Sequence, residues 1–317
     1  MKRTPRSKQV NQAYIGRFAP SPSGPLHAGS LVAALASYLD ARWHGGTWLV
    51  RIEDIDEGRS VAGAAQGILS LLDALGMHAD GEIVWQSRRK DLYQAAADRI
   101  AQDTYPCGCN RREIADSRLG FAPDGAAIYA GTCRHGLEPG RSMRSLRVRV
   151  PEAGLDEITF IDRFAGKVTQ HLARDSGDFL LKRADGFWAY QLAVVVDDAE
   201  QGVTDVVRGA DLLDSTPRQI FLQRLLGVPT PRYLHVPVVR NDNGEKLSKQ
   251  TGALAVTAGD EPAAVGALLA SSRFLDLDLE GAPPSSRDAF WQAAIPAWGR
   301  LLARRAAAET TSPGAAG

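Results

Sequence analysis

Residues Ser23-Gly24-Pro25-Leu26-His27-Ala28-Gly29-Ser30 stand where a strand passes through a loop into the start of a helix. Upstream, Ala19-Pro20-Ser21-Pro22-Ser23-Gly24-Pro25 is a loop, because neither strand nor helix continues through that density of Pro and Gly. Downstream, Val32, Leu35 and Leu39 recur at helical spacing until Gly45-Gly46 stops the pattern. A helix start after such a loop offers free backbone N–H groups and the positive end of the helix dipole, which suits a phosphate. His27 can donate a hydrogen bond to a phosphate oxygen, and Gly29 lets a flat base approach the backbone closely. Taken alone, the segment reads equally well as a loop ending in a partly exposed histidine cap.

Working outward, Thr47 to Ile52 reads as a strand, rich in β-branched and aromatic residues. Ser60 is a candidate N-cap for a helix whose apolar stripe is Val61, Ala65, Ile68, Leu72 and Leu75, closed by Gly76. Asp91 to Gln102 reads as another helix. Strand, helix, strand, helix is the rhythm of a parallel α/β sheet. It breaks at Tyr105. Leu146, Val148 and Val150 alternate with Arg147 and Arg149 as a half-exposed strand. Two apolar runs from Phe179 to Ala193 flank Asp185-Gly186, a hairpin signal. The α/β rhythm returns at Ser215-Thr216-Pro217, a helix start with Pro at the first position, and Gly227 closes that helix. Val236 to Arg240 reads as a strand and Asn241-Asp242-Asn243-Gly244 as a turn.

The expected organisation is a disordered basic tail over 1–13, then the first half of a Rossmann-type domain over 14–104. An insertion with antiparallel strands follows over 105–185, then the second half of the domain over 186–252. A helical C-terminal region over 253–309 and a disordered tail over 310–317 complete the chain. The composition is that of an ordinary globular protein: 317 residues, 44% hydrophobic, 23% charged, no formal net charge. That length suggests about two domains. No apolar run reaches the roughly 18 residues of a membrane span, so no membrane partner is expected. The N-terminal Lys2, Arg3, Arg6 and Lys8 are not followed by an apolar signal core, and three cysteines cannot build a disulfide framework; both point to the cytoplasm. With no net charge, a polyanion partner must meet a local basic face.

A second constellation is Lys246-Leu247-Ser248-Lys249-Gln250, after a strand and a Gly turn. Two lysines three apart can close on a polyphosphate and neutralise charge as pyrophosphate leaves; singly, each is more simply a solvated surface lysine. The two segments together resemble the signatures of the class I aminoacyl-tRNA synthetases. The blocks between them look like the glutamyl branch. They are Gly16-Arg17-Phe18-Ala19-Pro20-Ser21-Pro22-Ser23-Gly24, Arg51-Ile52-Glu53-Asp54-Ile55-Asp56, Tyr190-Gln191-Leu192-Ala193, Asp197-Asp198 and Arg208-Gly209-Ala210-Asp211-Leu212-Leu213. The resemblance runs in order from Gly16 to about Thr251. It implies a Rossmann-type parallel sheet split by a mixed α/β insertion, and a ligase-type adenylate-forming enzyme.

Two departures narrow it. Only about 65 residues follow the lysine loop, too few for an anticodon-reading domain, and a cysteine cluster interrupts the middle. Both resemble the truncated paralogues of the branch. These activate glutamate with ATP and attach it to queuosine in the anticodon of tRNA(Asp), a tRNA modification. The partners so implied are ATP, L-glutamate and queuosine-bearing tRNA(Asp), with Mg²⁺ on the ATP phosphates; nothing demands more than a monomer. A minimal synthetase charging a tRNA 3′ end, a non-catalytic RNA-binding paralogue and a ligase acting on an amine are the competing readings.

Charge arithmetic supplies the glutamate pocket. Free glutamate carries two carboxylates and one ammonium, so its site needs two cationic clamps and one anion. The resemblance places Arg17 and Arg208 there as the cations and Glu53 as the anion, with Ser21 and Tyr190 as hydroxyl donors. The resemblance adds Phe18, Ala19 and Pro20 to that pocket. It gives His27, Gly29, Lys246 and Lys249 the catalytic role, and His27, Gly29 and Lys249 contact with ATP. Cys107-Gly108-Cys109 and Cys133 are candidate ligands of one structural zinc, which wants four ligands. His135 is the more conventional fourth ligand by chemistry; the family pattern points instead to Tyr129. Arg141, Arg144, Arg147 and Arg149 form a basic stripe that reads as a tRNA-phosphate contact or, equally, as a solvated strand face.

Overall fold

The computed structural model describes residues 13–238 and 256–311. In chain order the first elements are β1 (Ile15–Phe18), α1 (Ala28–Trp43), β2 (Thr47–Ile52), α2 (Ala64–Ala74), β3 (Val84–Trp85) and α3 (Lys90–Arg99). Next come β4 (Thr104–Cys107), α4 (Arg111–Ser117), β5 (Gly120–Phe121), β6 (Ala127–Ile128), β7 (Ser145–Val148), β8 (Glu157–Asp162), β9 (Gly166–His171), α5 (Leu172–Asp175) and β10 (Leu180–Lys182). The chain continues with α6 (Tyr190–Glu200), β11 (Asp205–Gly209), α7 (Thr216–Leu226), β12 (Arg232–Val236), α8 (Glu261–Phe274) and α9 (Arg287–Thr311).

Seven strands form the main sheet in the order β3-β2-β1-β11-β12-β8-β9. All neighbours are parallel except β8 and β9. β1 and β11 lie side by side although about 190 residues separate them, so β2 and β12 extend the sheet in opposite directions from that pair. Such a switch point leaves a crevice beyond the carboxyl ends of its two central strands, and α/β proteins bind ligands there. The strands of 105–185 do not form one separate unit. β7 pairs with β4 and β10 in a three-stranded antiparallel sheet, while β8 and β9 extend the main sheet beyond β12.

Several local expectations change for physical reasons. The helix expected from Ser60 starts at Ala64, capped by Gly63 at φ 77°. The Val61 N–H is already bound to the Pro22 carbonyl, which holds Ser60 and Val61 against the loop. The second apolar run after Asp185-Gly186 is helix α6 rather than a strand; its Leu192 to Val196 are buried on all sides, and a buried run hides helical periodicity. The hairpin is short: its turn, the bridge between Lys182 and Trp188, and backbone hydrogen bonds from Arg183 to the Phe187 carbonyl and from Ala189 to the Leu181 carbonyl close it before the helix begins. Strand β12 covers Arg232–Val236 and shares only Val236 with the strand expected over Val236–Arg240; residues 239–240 and the turn expected at Asn241-Asp242-Asn243-Gly244 lie outside the described residues. Helix α9 runs on to Thr311, two residues into the expected tail.

The C-terminal helices pack on α1. Trp298 is fully buried and its Nε1 donates to Asp40, which also accepts from the Tyr14 hydroxyl and from both Nη atoms of Arg163. Burial raises the Asp40 carboxyl and these donors more than offset it, so it stays ionised. Gly299 allows the closest approach: a Cβ there would lie 2.3 Å from the Trp43 ring. No helix among the described residues is long and apolar enough to cross a membrane.

Candidate active site

The crevice at the β1/β11 switch point is a cleft of about 570 Å³. Its wall runs from Arg17 to Ser21 at the end of β1, through Ser23, Leu26 and His27, to Gly29, Ser30 and Ala33 of α1. The opposite wall comes from Tyr190, the Val207 to Leu212 segment and the end of β12. His27 is the N-cap of α1. Its extended backbone lets Nδ1 accept the Ser30 N–H at 3.3 Å, so the helix start faces the cleft with the dipole's positive end.

Beneath the cleft lies a buried charge network. Arg51, fully buried on β2, lies 3.2 Å from Glu53, 2.8 Å from Asp198 and 3.7 Å from Asp197. Arg17 Nε donates to Asp198 at 3.1 Å. Asp197 also accepts from Gln86, Arg89 and the Tyr93 hydroxyl. Burial alone would drive the Glu53 and Asp198 carboxyls to their neutral forms. For Asp198 the two guanidiniums of Arg17 and Arg51 win and its pKa falls; for Glu53 burial wins and its pKa rises.

Arg208 differs from the other three arginines. It is 5% exposed, yet no carboxylate lies within ion-pair distance of it among the described residues. Its Nε donates to His235 Nε2 at 3.0 Å and its Nη2 to Thr216 Oγ1 at 2.8 Å. Its Nη1 reaches the Tyr190 hydroxyl at 3.4 Å. An unneutralised buried cation is costly unless an anion completes it.

The structure gathers Arg17, Phe18, Ala19, Pro20, Ser21, His27, Gly29, Tyr190 and Arg208 around one cleft. Glu53 lies below it, 7% exposed and bound to Arg51. Lys246 and Lys249 lie outside the described residues. Sequence reasoning assigned no role to Arg51, Asp197, Asp198, Asp162, Thr216 or His235. Arg51 and the two aspartates stood inside quoted motifs, and two adjacent acids beside an apolar helix were the usable signal. Nothing local marks Asp162 or His235.

The three cysteines, all buried, bring their sulfurs within 4.8 Å of one another. Cys109 and Cys133 are 3.6 Å apart, and the Tyr129 hydroxyl is 3.4 Å from both Cys107 and Cys109. A tetrahedral zinc with Zn–S of about 2.3 Å needs sulfurs about 3.8 Å apart, so three thiolates and the phenol fit it. His135 is exposed and outside the group. Burial raises the Cys107 thiol, but the Tyr129 hydroxyl, the Cys109 N–H and Arg147 bring it down to about 7.

Two of the four arginines of the basic stripe, Arg147 and Arg149, are turned inward. Arg147 is 5% exposed, its guanidinium 3.9 Å over the Tyr129 ring and donating to the Asp178 carbonyl. Arg149 lies over Tyr105 and donates to three carbonyls. Arg141 pairs with Glu113 and Glu138. These three clamp the cysteine-bearing segment; Arg141 and Arg144 are both exposed.

Sheet order, switch-point cleft and helix start define a class I synthetase. The family model of the class I tRNA synthetases (E and Q), catalytic domain, matches residues 15–264, and the chain belongs to that family. Among its relatives, the glutamyl-Q tRNA(Asp) synthetase of Janthinobacterium sp. (strain Marseille) is 65% identical over 93% of this chain and 100% of that protein. The glutamyl-Q tRNA(Asp) synthetase of Verminephrobacter eiseniae (strain EF01-2) is 61% identical, over 90% of this chain and 97% of its own. A crystal structure of glutamate-tRNA synthetase from Elizabethkingia anophelis is similar at 28% identity and a TM-score of 0.66. That likeness covers 76% of this chain and 53% of the solved one, so the chain spans about half the length of that structure.

Proposed function

We propose that the protein activates L-glutamate with ATP and transfers the glutamyl group to queuosine in the anticodon of tRNA(Asp). The observation that carries the substrate assignment is Arg208, a buried guanidinium at the cleft without a carboxylate partner among the described residues. A carboxylate ligand completes it, and a charge-assisted hydrogen bond from a cation favours carboxylate over the neutral amide. Arg17, Ser21 and Tyr190 supply the remaining polar contacts, with Phe18, Ala19 and Pro20 as backbone wall. Glu53, through the shared network with Arg17 and Arg51, sets the negative potential for the ammonium. The acceptor assignment rests on the names of two relatives that the chain matches over nearly their whole length.

In this reading a glutamate carboxylate oxygen attacks the α-phosphate of ATP and pyrophosphate leaves. His27, Gly29 and the α1 start receive the phosphates and the base; Lys246 and Lys249 neutralise the departing charge. Mg²⁺ accompanies the ATP. A queuosine hydroxyl then attacks the adenylate carbonyl, and AMP leaves. One structural zinc would be held by Cys107, Cys109, Cys133 and Tyr129 and would fix the inserted segment. The deciding experiment transfers labelled glutamate with ATP to two tRNA pools, one from cells that make queuosine and one from cells that cannot. Label on the first pool alone is expected. Label on both would make this a 3′-end-charging enzyme, and label on neither with intact glutamate-dependent pyrophosphate exchange would move the acceptor off tRNA.

A further inference from the structure

Behind Arg208 stands a chain of buried polar groups that the substrate contacts do not require. Arg208 on β11 and His235 on β12 are register partners on adjacent parallel strands, so their side chains share a face of the sheet. Arg208 Nε donates to His235 Nε2 at 3.0 Å, and His235 Nδ1 lies 2.6 Å from Asp162 Oδ2 at the end of β8. Asp162 is fully buried and His235 is 3% exposed. A guanidinium Nε always carries its proton, so His235 Nε2 must accept. The imidazole proton therefore sits on Nδ1, directed at Asp162.

Asp162 is itself oriented. Its Oδ1 accepts the backbone N–H groups of Phe164, Ala165 and His235 at 2.9, 2.8 and 3.2 Å. That leaves Oδ2 alone to face His235. The carboxylate selects one tautomer, and that tautomer presents a lone pair to Arg208 Nε. With Nε held by His235 and Nη2 by Thr216 and the Leu212 carbonyl, the guanidinium plane is set. Tyr190 takes one Nη1–H, and the other has no acceptor among the described residues.

We propose that Asp162 and His235 are positioning residues: they lock the imidazole as the Nδ1–H tautomer and thereby hold Arg208 in the orientation that receives the substrate carboxylate. The proposal rests on the reading of Arg208 as a glutamate clamp, and its test separates the two.

The test uses Asp162→Asn in the full-length protein, with glutamate-dependent ATP–pyrophosphate exchange as the readout. The three N–H donors keep the amide oxygen at the Oδ1 position, which puts the NH₂ against His235 Nδ1. His235 must then carry its proton on Nε2, donor against donor with Arg208 Nε. The substitution is isosteric, yet the KM for glutamate should rise at least about tenfold, with the KM for ATP within about twofold. The second variant is His235→Gln, whose amide oxygen reaches the Nε2 position and can accept from Arg208 but contacts nothing at Nδ1. In that background Asp162→Asn should cost nothing further, whereas a merely structural role for Asp162 would persist. His235→Asn, which keeps the Asp162 contact but cannot reach Arg208, should behave like Asp162→Asn. An unchanged glutamate KM in Asp162→Asn, or the same rise in the His235→Gln background, overturns the positioning role. If Arg208→Ala also leaves the glutamate KM unchanged, the clamp reading falls with it; if Arg208→Ala raises it, the clamp stands alone.

Discussion

Arg17 meets Asp198 across 181 positions of chain, and Arg51 meets Gln201 across 150. The cysteine cluster instead draws its three sulfurs and its phenol from residues 107–133, and the widest side-chain contact among them is the 24 positions between Cys109 and Cys133. The cleft thus exists only when β1, β2, α6, β11 and β12 are all in place. The cluster takes its ligand atoms from one short segment, backed by the β4–β7 pairing and by Arg147 over Tyr129. Closing a short loop costs little chain entropy. The difference implies two kinds of failure: damage to the cleft network unfolds the sheet, while damage to the cluster loosens the insertion and leaves the cleft's own contacts standing.

Removing Asp197 probes that contrast most forcefully. It is fully buried and receives Gln86, Arg89 and Tyr93, with Arg51 at 3.7 Å. Deleting one member of a buried ionic network leaves uncompensated charge, so Asp197→Ala should cost about 4 kcal/mol in denaturant unfolding. A loss below about 1 kcal/mol would mean that the network is not what ties α6 to the sheet.

On the other side, metal analysis of the purified protein should find about one zinc per chain. Cys133→Ser should lower zinc content and destabilise the protein by about 3 kcal/mol, a quarter of a typical structural-zinc contribution. The KM values for glutamate and ATP in exchange should stay near wild type in that variant at low temperature. Equal loss of exchange and of zinc would erase the separation between the two regions.

Within the cleft, Arg208→Ala should raise the glutamate KM about 100-fold, equivalent to about 2.7 kcal/mol, with little change for ATP. Equal losses for both substrates would make Arg208 a packing residue of the sheet rather than a clamp.

The same contrast governs what could be read from the chain. Elements with local signals were legible: α1 between the Pro-rich loop and Gly45-Gly46, β2 at Thr47–Ile52, and α7 between Ser215-Thr216-Pro217 and Gly227, whose φ of 62° is the helix stop. So were the residues around His27, because loop, cap and helix are contiguous. The charge count of glutamate called for two cations, and the family motifs picked out Arg17 and Arg208. Neither reached His235 or Asp162, whose roles depend on which strands lie side by side, a property of register and not of spacing. Arg147 misled because alternation assigns it to solvent, whereas the Tyr129 ring and the Asp178 carbonyl accommodate its charge inside. The apolar run that ends at Ala193 read as the second strand of a hairpin because it follows the Asp185-Gly186 turn, yet burial between sheet and α7 decided for helix from Tyr190 onward.

The finest discrimination lies inside the cluster, between Tyr129 and His135. Chemistry by type favours the imidazole, and placement favours the phenol. The Tyr129 hydroxyl accepts the Cys133 N–H at 2.9 Å and touches two sulfurs, while the His135 side chain is outside the group. Tyr129→Phe keeps the ring under Arg147 and removes only the oxygen. It leaves the Cys133 N–H without its acceptor and the metal with a weaker fourth ligand, so stability should fall by about 1 kcal/mol. Zinc should also transfer faster to a competing chelator. His135→Ala should change neither stability, within about 0.5 kcal/mol, nor zinc transfer. The reverse pattern, with zinc held by the phenylalanine variant and released by the alanine one, would require residues 133–135 to rearrange around the metal and would return the fourth position to the imidazole.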